Sequence, residues 1–319
     1  MLHCHSLFRA TAALVLLSAG LAAAQEFPAR PVRIIVANPA GSGSDIIVRI
    51  VVPEMSKNLG QPVIVEPRPG ADQLIGAHYV AKQVPADGYT VGVYTLGNLA
   101  AVPSLVKDPK FEPLRDLPPF ITMVAGRSYL GTPSNAPWKN FDEMVAYAKA
   151  NPGKLNYATT SVSQRLRMEP VLMKHGLNIV SVPYPTTGAA EAATYAGHVH
   201  LIFANASQVS KKGGMWALAA TGDRRHPRFP EVPTFKELGL PPVPGAEYSM
   251  HAPAGTPRPV IERLHGAVSR ALQHADVTER MDKLGYEIVN DSPQAAAQYL
   301  AMQVKLATDV AQKIGIEPQ

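Results

Sequence analysis

Residues 36–49 read VANPAGSGSDIIVR, and the run RIIVA (33–37) leads into them. An apolar, β-branched run predicts a strand. It feeds a Gly/Ser turn, and the apolar residues that follow carry helical spacing. Strand, glycine-rich turn and helix in that order form the repeating unit of open α/β sheets. The same unit offers an anion cradle. Successive N–H groups of such a turn converge on one point, with the positive end of the helix dipole behind them. Asp45 stands where it can cap the helix. Open sheets take ligands at loops of this kind, at the carboxyl ends of their strands. A plain tight turn with Asp45 as a structural cap fits the same residues.

A dinucleotide fingerprint is the first cradle to test. Gly41-x-Gly43 follows the strand, and Glu66 ends the next one. The third glycine position holds Ile46, where close helix–strand packing needs a small residue. No cofactor is expected.

The N-terminus narrows the compartment. Met1–Arg9 carries one positive charge, Ala10–Leu21 is apolar, and Ala22-Ala23-Ala24 fits the small-x-small cleavage rule. This predicts a secretory signal peptide over residues 1–24, and so an exported chain. A retained anchor is the alternative, but the apolar run is short for a bilayer. The only cysteine, Cys4, falls in the leader, so the mature chain has neither disulfide nor thiolate chemistry. The net charge of +5 is spread along the chain, without an aromatic-interleaved basic stripe, so no nucleic-acid partner is expected. Thirty prolines imply many short connections.

The pattern of strand and helix repeats. Strands are predicted at 32–36, 63–65 and 90–94, and helices at 44–59 and 75–83. A Pro-rich crossover, DPKFEPLRDLPPF, leads through the extended run ITMVAGRSYLGTP to a second unit. That unit has helices at 141–150, 167–175 and 189–196, and strands at 155–160, 179–183, 198–203 and 216–221. The tail is helical at 260–274, 278–283 and 293–313.

Further motifs follow in a fixed order: PARPVRIIVANPAGSGSDIIVR, GQPVIVEPRPGADQLIGA, ADGYT, GKLNYATT, VPYPTTGAA, EVPTFKELGL and APAGTP. In these the chain resembles the Bug (TctC-like) family, the periplasmic solute-binding proteins of tripartite tricarboxylate transport systems. The resemblance covers nearly the whole mature chain. It implies a type II periplasmic binding protein, with two α/β lobes joined by two crossovers and the ligand cleft between them. Residues 25–124 and 246–319 would form lobe 1, and 125–245 lobe 2. It implies no catalysis, a monomer, a small organic acid as ligand, and membrane permease subunits as partners. A membrane sensor kinase is the rival partner, and a secreted hydrolase the rival class. By the same analogy the ligand would lie against Pro39, Ala40, Gly41, Ser42 and Asp45 of the first loop. Asp72 and Gln73 of the second loop and Thr95 would line the same lobe. Thr159, Thr160, Ser161, Tyr184, Thr187, Gly188 and Ala189 would face them from lobe 2.

Departures from the family pattern bear on ligand choice. Ala40-Gly41-Ser42 stands for Pro-Gly-Gly, and Asp72-Gln73-Leu74 for Gly-Gly-Asn. Glu247 replaces an aromatic residue. Two acids near the cleft would repel a dicarboxylate, which favours an amine-bearing acid, an amide, or an aromatic acid paired by Arg165. The alternative is that Asp72 and Glu247 face solvent.

Other constellations are weaker. His198 and His200 would share a strand face, but no third metal ligand is near. Ser42 and Ser44, with His78 or His251, lack the G-x-S-x-G elbow of a serine hydrolase. Trp138, Phe141, Met168, Leu172 and Met173 read as core.

Overall fold

The computed structural model describes residues 26–318 apart from 161, 207, 210–213, 223, 241–244 and 314. The leader expected over residues 1–24 and the predicted site residue Ser161 lie outside the described residues. No described helix is long and apolar enough to cross a membrane.

Strand β1 (Val32–Val36) lies inside the first sheet, with helices on both faces. Its residues are therefore apolar nearly throughout, as a parallel strand covered on two sides demands. Ile34 and Val36 join one core, with Ile47 and Val51 of helix α1 (Gly43–Leu59) and Leu264 and Val268 of helix α8 (Arg258–Leu272). Ile35 and Ala37 point the other way, into a core with Tyr94 and Leu99.

The first sheet adds β2 (Val63–Pro67), β3 (Thr90–Thr95), β4 (Pro119–Gly126), β10 (Ala246–His251) and β11 (Tyr286–Ile288). Its order is β11-β4-β10-β3-β1-β2. Strands β2 and β3 pair with β1 in parallel. Strand β10 is antiparallel to both β3 and β4. The carboxyl ends of β1 and β3 therefore lie side by side, with helices leaving to opposite faces, and this leaves a crevice between them.

The second sheet has the order β7-β6-β8-β5-β9. It comprises β5 (Ser128–Pro133), β6 (Leu155–Thr159), β7 (Ile179–Pro183), β8 (Leu201–Asn205) and β9 (Met215–Ala220). Trp138, Phe141, Met144 and Met168 fill its main core. Two α/β lobes with mixed sheets result. The chain crosses between them at Arg127, which separates β4 from β5, and returns at Gly245, just before β10. Helix α10 (Pro293–Lys313) returns to the first lobe, along helix α3 (Leu96–Leu105) and β4, and also meets helix α6 (Val162–His175) of the second lobe.

Several expectations need correction. Helix α3 and strands β10 and β11 had no counterpart in the predicted elements. Helix α6 starts at Val162, not Arg167, and β8 starts at Leu201, so His198 and His200 precede the strand. The His200 ring faces Asn156, its Nδ1 2.7 Å from Asn156 Oδ1. No metal-ligating cluster occurs among the described residues. Met173 is exposed, unlike Met168 and Leu172.

Candidate functional site

Between the lobes lies a cleft of about 480 Å³. The loop after β1 forms one wall, with Asn38 and Pro39 to Ser44. Its shape comes from internal hydrogen bonds. Ser42 N–H donates to Pro39 O at 3.1 Å. Gly41 has φ +79°, the left-handed region that glycine enters without cost. Its N–H donates to Asp45 Oδ2 at 2.9 Å, and Ser42 Oγ caps α1 by accepting from Asp45 N–H.

Asp45 thus stands behind the loop. It is buried, outside the cleft lining, and Arg49 Nε reaches both its oxygens at 3.0 Å. Burial works to raise its pKa, but the Arg49 guanidinium and the Gly41 N–H hold it below the usual carboxylate value. The loop has therefore filled part of its own cradle with its own carboxylate. Ser42, Gly43 and Ser44 line the cleft, with the hydroxyls of the two serines and the N–H groups of Gly43 and Ser44 among their polar atoms. Those two N–H groups have no acceptor among the described residues.

The second loop follows a strained path. Ala71, Asp72 and Gln73 have φ of 45°, 53° and 81° in succession. Positive φ costs a side-chain-bearing residue roughly 1–2 kcal/mol, less for Asp. Gln73 offsets part of this. Its buried side chain accepts the Thr95 N–H at 2.8 Å and so fixes Thr95, which lines the cleft. Asp72 lies exposed on the rim of the cleft, and its Oδ1 accepts from Asn98 Nδ2 at 2.9 Å.

The second lobe supplies Thr160, Gln164, Thr186 and Thr187. Gln164 Oε1 accepts the Thr160 N–H at 2.9 Å. Thr186 caps helix α7 (Thr187–Tyr195), accepting from Ala189 N–H. Thr159 is buried beneath Thr160, 3.3 Å from Ser181 by their hydroxyls, and its carbonyl accepts the Tyr184 N–H. Of the predicted contacts, then, Pro39, Ala40, Gly41, Ser42, Asp72, Thr95, Thr160 and Thr187 line the cleft. Asp45, Gln73, Thr159, Tyr184, Gly188 and Ala189 stand outside its lining, and of these Asp45, Gln73 and Ala189 are hydrogen-bonded to residues that line it.

Arg167 is a lining residue that the sequence reading passed over in favour of Arg165. It lies on α6 and is 7% exposed. Arg165, two residues away, points outward to Glu169 at 3.4 Å. Residues two apart on a helix face opposite ways, so only one of them can enter the cleft. Asp72 and Arg167 are the only charged side chains among the described lining residues. Glu247 neither lines the cleft nor faces solvent. It is 5% exposed, and its Oε1 accepts from Gly245 N–H at 2.9 Å and Tyr299 Oη at 3.1 Å.

The two histidines that the hydrolase reading named stand apart from the cleft lining. His251 lies in the interior of the first sheet, and His78 sits beside Gln83; neither lines the cleft. Glu66, the acid of the dinucleotide comparison, is engaged by Arg33 at 2.6 Å and Arg68 at 3.0 Å.

Two α/β lobes around a polar cleft, joined at two crossings, are the architecture of a two-lobed binding protein. The chain belongs to the tripartite tricarboxylate transporter family of receptors (TctC), whose model matches residues 47–316. A curated relative, the UPF0065 protein in the gbd 5'region of Cupriavidus necator, is 34% identical and covers 98% of both chains. Two Rhodopseudomonas palustris structures share the fold. MatC with bound malate is 29% identical with a TM-score of 0.78, over 89% of this chain and all of MatC. Rpa4515 with adipate is 27% identical with a TM-score of 0.82, over 92% of this chain and all of Rpa4515. This protein is accordingly a periplasmic solute-binding receptor of a tripartite tricarboxylate-type permease.

Proposed function

We propose that the protein captures a small organic acid in the interlobe cleft by hinge closure and presents it, as a monomer, to the permease. Residues 1–24 act as the leader that exports it. The single observation that carries the ligand class is the lining of the cleft. Hydroxyls, amides and unsatisfied N–H groups converge there with one buried cation, and groups of this kind hold a carboxylate without reacting with it. The malate and adipate bound to two similar proteins support the same class. Pro39, Ala40, Gly41, Ser42, Asp72, Thr95, Thr160 and Thr187 would touch the ligand. Asp45, Gln73, Thr159, Tyr184, Gly188 and Ala189 would hold those contacts in place. Closure would bring the two sets together around the acid and exclude water from it.

A thermal-shift and calorimetry screen tests this reading. The panel holds di- and tricarboxylates, aromatic acids, amino acids and amides. An acid present at one hundred times its dissociation constant should stabilise the native state by about 2.7 kcal/mol. The reading fails if no acid of any class shifts the melting temperature or gives a binding isotherm.

A further inference from the structure

The buried guanidinium of Arg167 touches no carboxylate among the described residues. Its bonds are Nη1 to Ser128 Oγ at 3.2 Å and Nη2 to the Gly245 carbonyl at 2.6 Å. Both acceptors are neutral, and Nε has no partner. No carboxylate of the described residues comes within ion-pair distance of it. The acid whose field reaches it most strongly is Glu247. Its Oε1 is bonded to Gly245 and Tyr299 while its Oε2 is buried without a hydrogen bond, and the residue lines a separate cavity of about 620 Å³ on another side of the β10 strand.

An arginine does not escape burial by losing its proton, because its guanidinium stays charged in proteins. A buried charge held only by neutral acceptors is costly, and pairing with an anion relieves most of that cost. The open side of this guanidinium is the cleft. Gly97 of helix α3 lies beside it, where a Cβ would come into ordinary contact with Nη2 at 3.5 Å.

We infer that Arg167 receives a carboxylate of the ligand directly, as a side-chain ion pair on the cleft floor. This deepens the solute-binding reading and rests on it. The planar fork of a guanidinium suits a carboxylate better than an amide, because two parallel N–H donors meet two equivalent, charged oxygens. The same guanidinium also holds Ser128 at one crossing and Gly245 at the other. Its anion would therefore be gripped at the point where the two lobes turn on each other. Recognition in this chain then relies on a charged side chain as well as on backbone and hydroxyl groups. The opposing reading is that Arg167 only braces the two crossings.

The discriminating experiment compares acids with their amides. Calorimetry is run on wild type, Arg167→Gln and Arg167→Lys with malate, adipate, citrate and benzoate, each beside its amide. Circular dichroism checks that each variant is folded. For any acid that wild type binds, Arg167→Gln is expected to lose ten- to hundredfold in affinity, with amide affinity unchanged. Arg167→Lys keeps the buried charge, and it should fold and bind the acid several-fold more weakly than wild type because the fork is gone. If Arg167→Gln weakens acid and amide alike, Arg167 is a brace and the inference is overturned. Acid affinity in Arg167→Lys equal to wild type would overturn it too, which keeps the test open should Arg167→Gln fail to fold. An acid bound equally well by wild type and Arg167→Gln overturns this inference alone. If wild type binds none of the four, the pair is taken from the wider screen, and wild type binding no acid of that screen overturns the inference together with the receptor reading.

Discussion

Acidification from pH 7 to pH 4 should weaken the first lobe through one imidazole. His251 sits on β10 with none of its surface exposed. Its Nδ1 is 2.7 Å from the Leu117 carbonyl and its Nε2 2.7 Å from Ser249 Oγ. A carbonyl only accepts, so Nδ1 carries the proton and Nε2 accepts from the serine hydroxyl. The edge of Tyr94 closes one side, at 5.2 Å between ring centroids. Burial pushes the imidazole down to about 4, although the Leu117 bond opposes this, against 6.5 for a free histidine. Above pH 6.5 the ring is neutral in both folded and unfolded chains, and its contribution is fully present. Between 6.5 and about 4 the unfolded chain takes up a proton that the folded one refuses. Stability then falls by about 1.4 kcal/mol per pH unit, or about 3 kcal/mol across the window. Urea denaturation of wild type and His251→Gln at pH 7, 6, 5 and 4 measures it. Carboxylates titrate alike in both proteins, so the difference between the two slopes isolates the imidazole. Equal slopes for wild type and His251→Gln would refute the reasoning.

Two smaller perturbations probe the cleft walls. In Gly43→Ala the new Cβ would lie 2.6 Å from the Tyr248 hydroxyl, so stability should fall by about 1–3 kcal/mol and acid binding should weaken. Adding Tyr248→Phe removes the clashing oxygen and should restore most of the loss; a double variant no better than Gly43→Ala would count against the contact. Asp72→Asn takes a negative charge off the cleft rim and should tighten dicarboxylate binding several-fold at low ionic strength. High salt should erase the gain, and an affinity unchanged in dilute buffer would place Asp72 outside the ligand's field.

The β1–loop–α1 unit was legible because period and composition agree there: branched apolar residues, then Gly and Ser, then a 3.6-residue stripe. What the loop does with its own N–H groups was not legible. Asp45 reads equally as cap or contact, and only the 2.9 Å bond to Gly41 shows which donors it takes. Helix α3, LGNLAAVPSL, escaped notice because it is buried nearly all round and so carries no polar stripe, while Gly97 and Pro103 suggest a loop. Strand β10 escaped for the opposite reason. Glu247, Ser249 and His251 put polar side chains on one of its faces, yet all three are buried and hydrogen-bonded. Arg167 was visible as a helix residue. Its value as a buried cation depends on Ser128 and Gly245, which are distant in the chain and come together only where the lobes meet.

The position of β10 also sets an order of assembly. The first sheet draws β1 to β4 from residues 32–126, but the strand that joins β3 to β4 is residues 246–251. Until that segment is made, the first lobe is two fragments with open strand edges. The second sheet, by contrast, is complete within residues 128–220. Pairings that span so much chain form slowly, because the loop must close before the contact rewards it. Synthesis from the N-terminus therefore builds the second lobe first and leaves residues 32–126 loose until then. A chain that stays loose until the closing stretch appears is one that can still be threaded through a narrow channel.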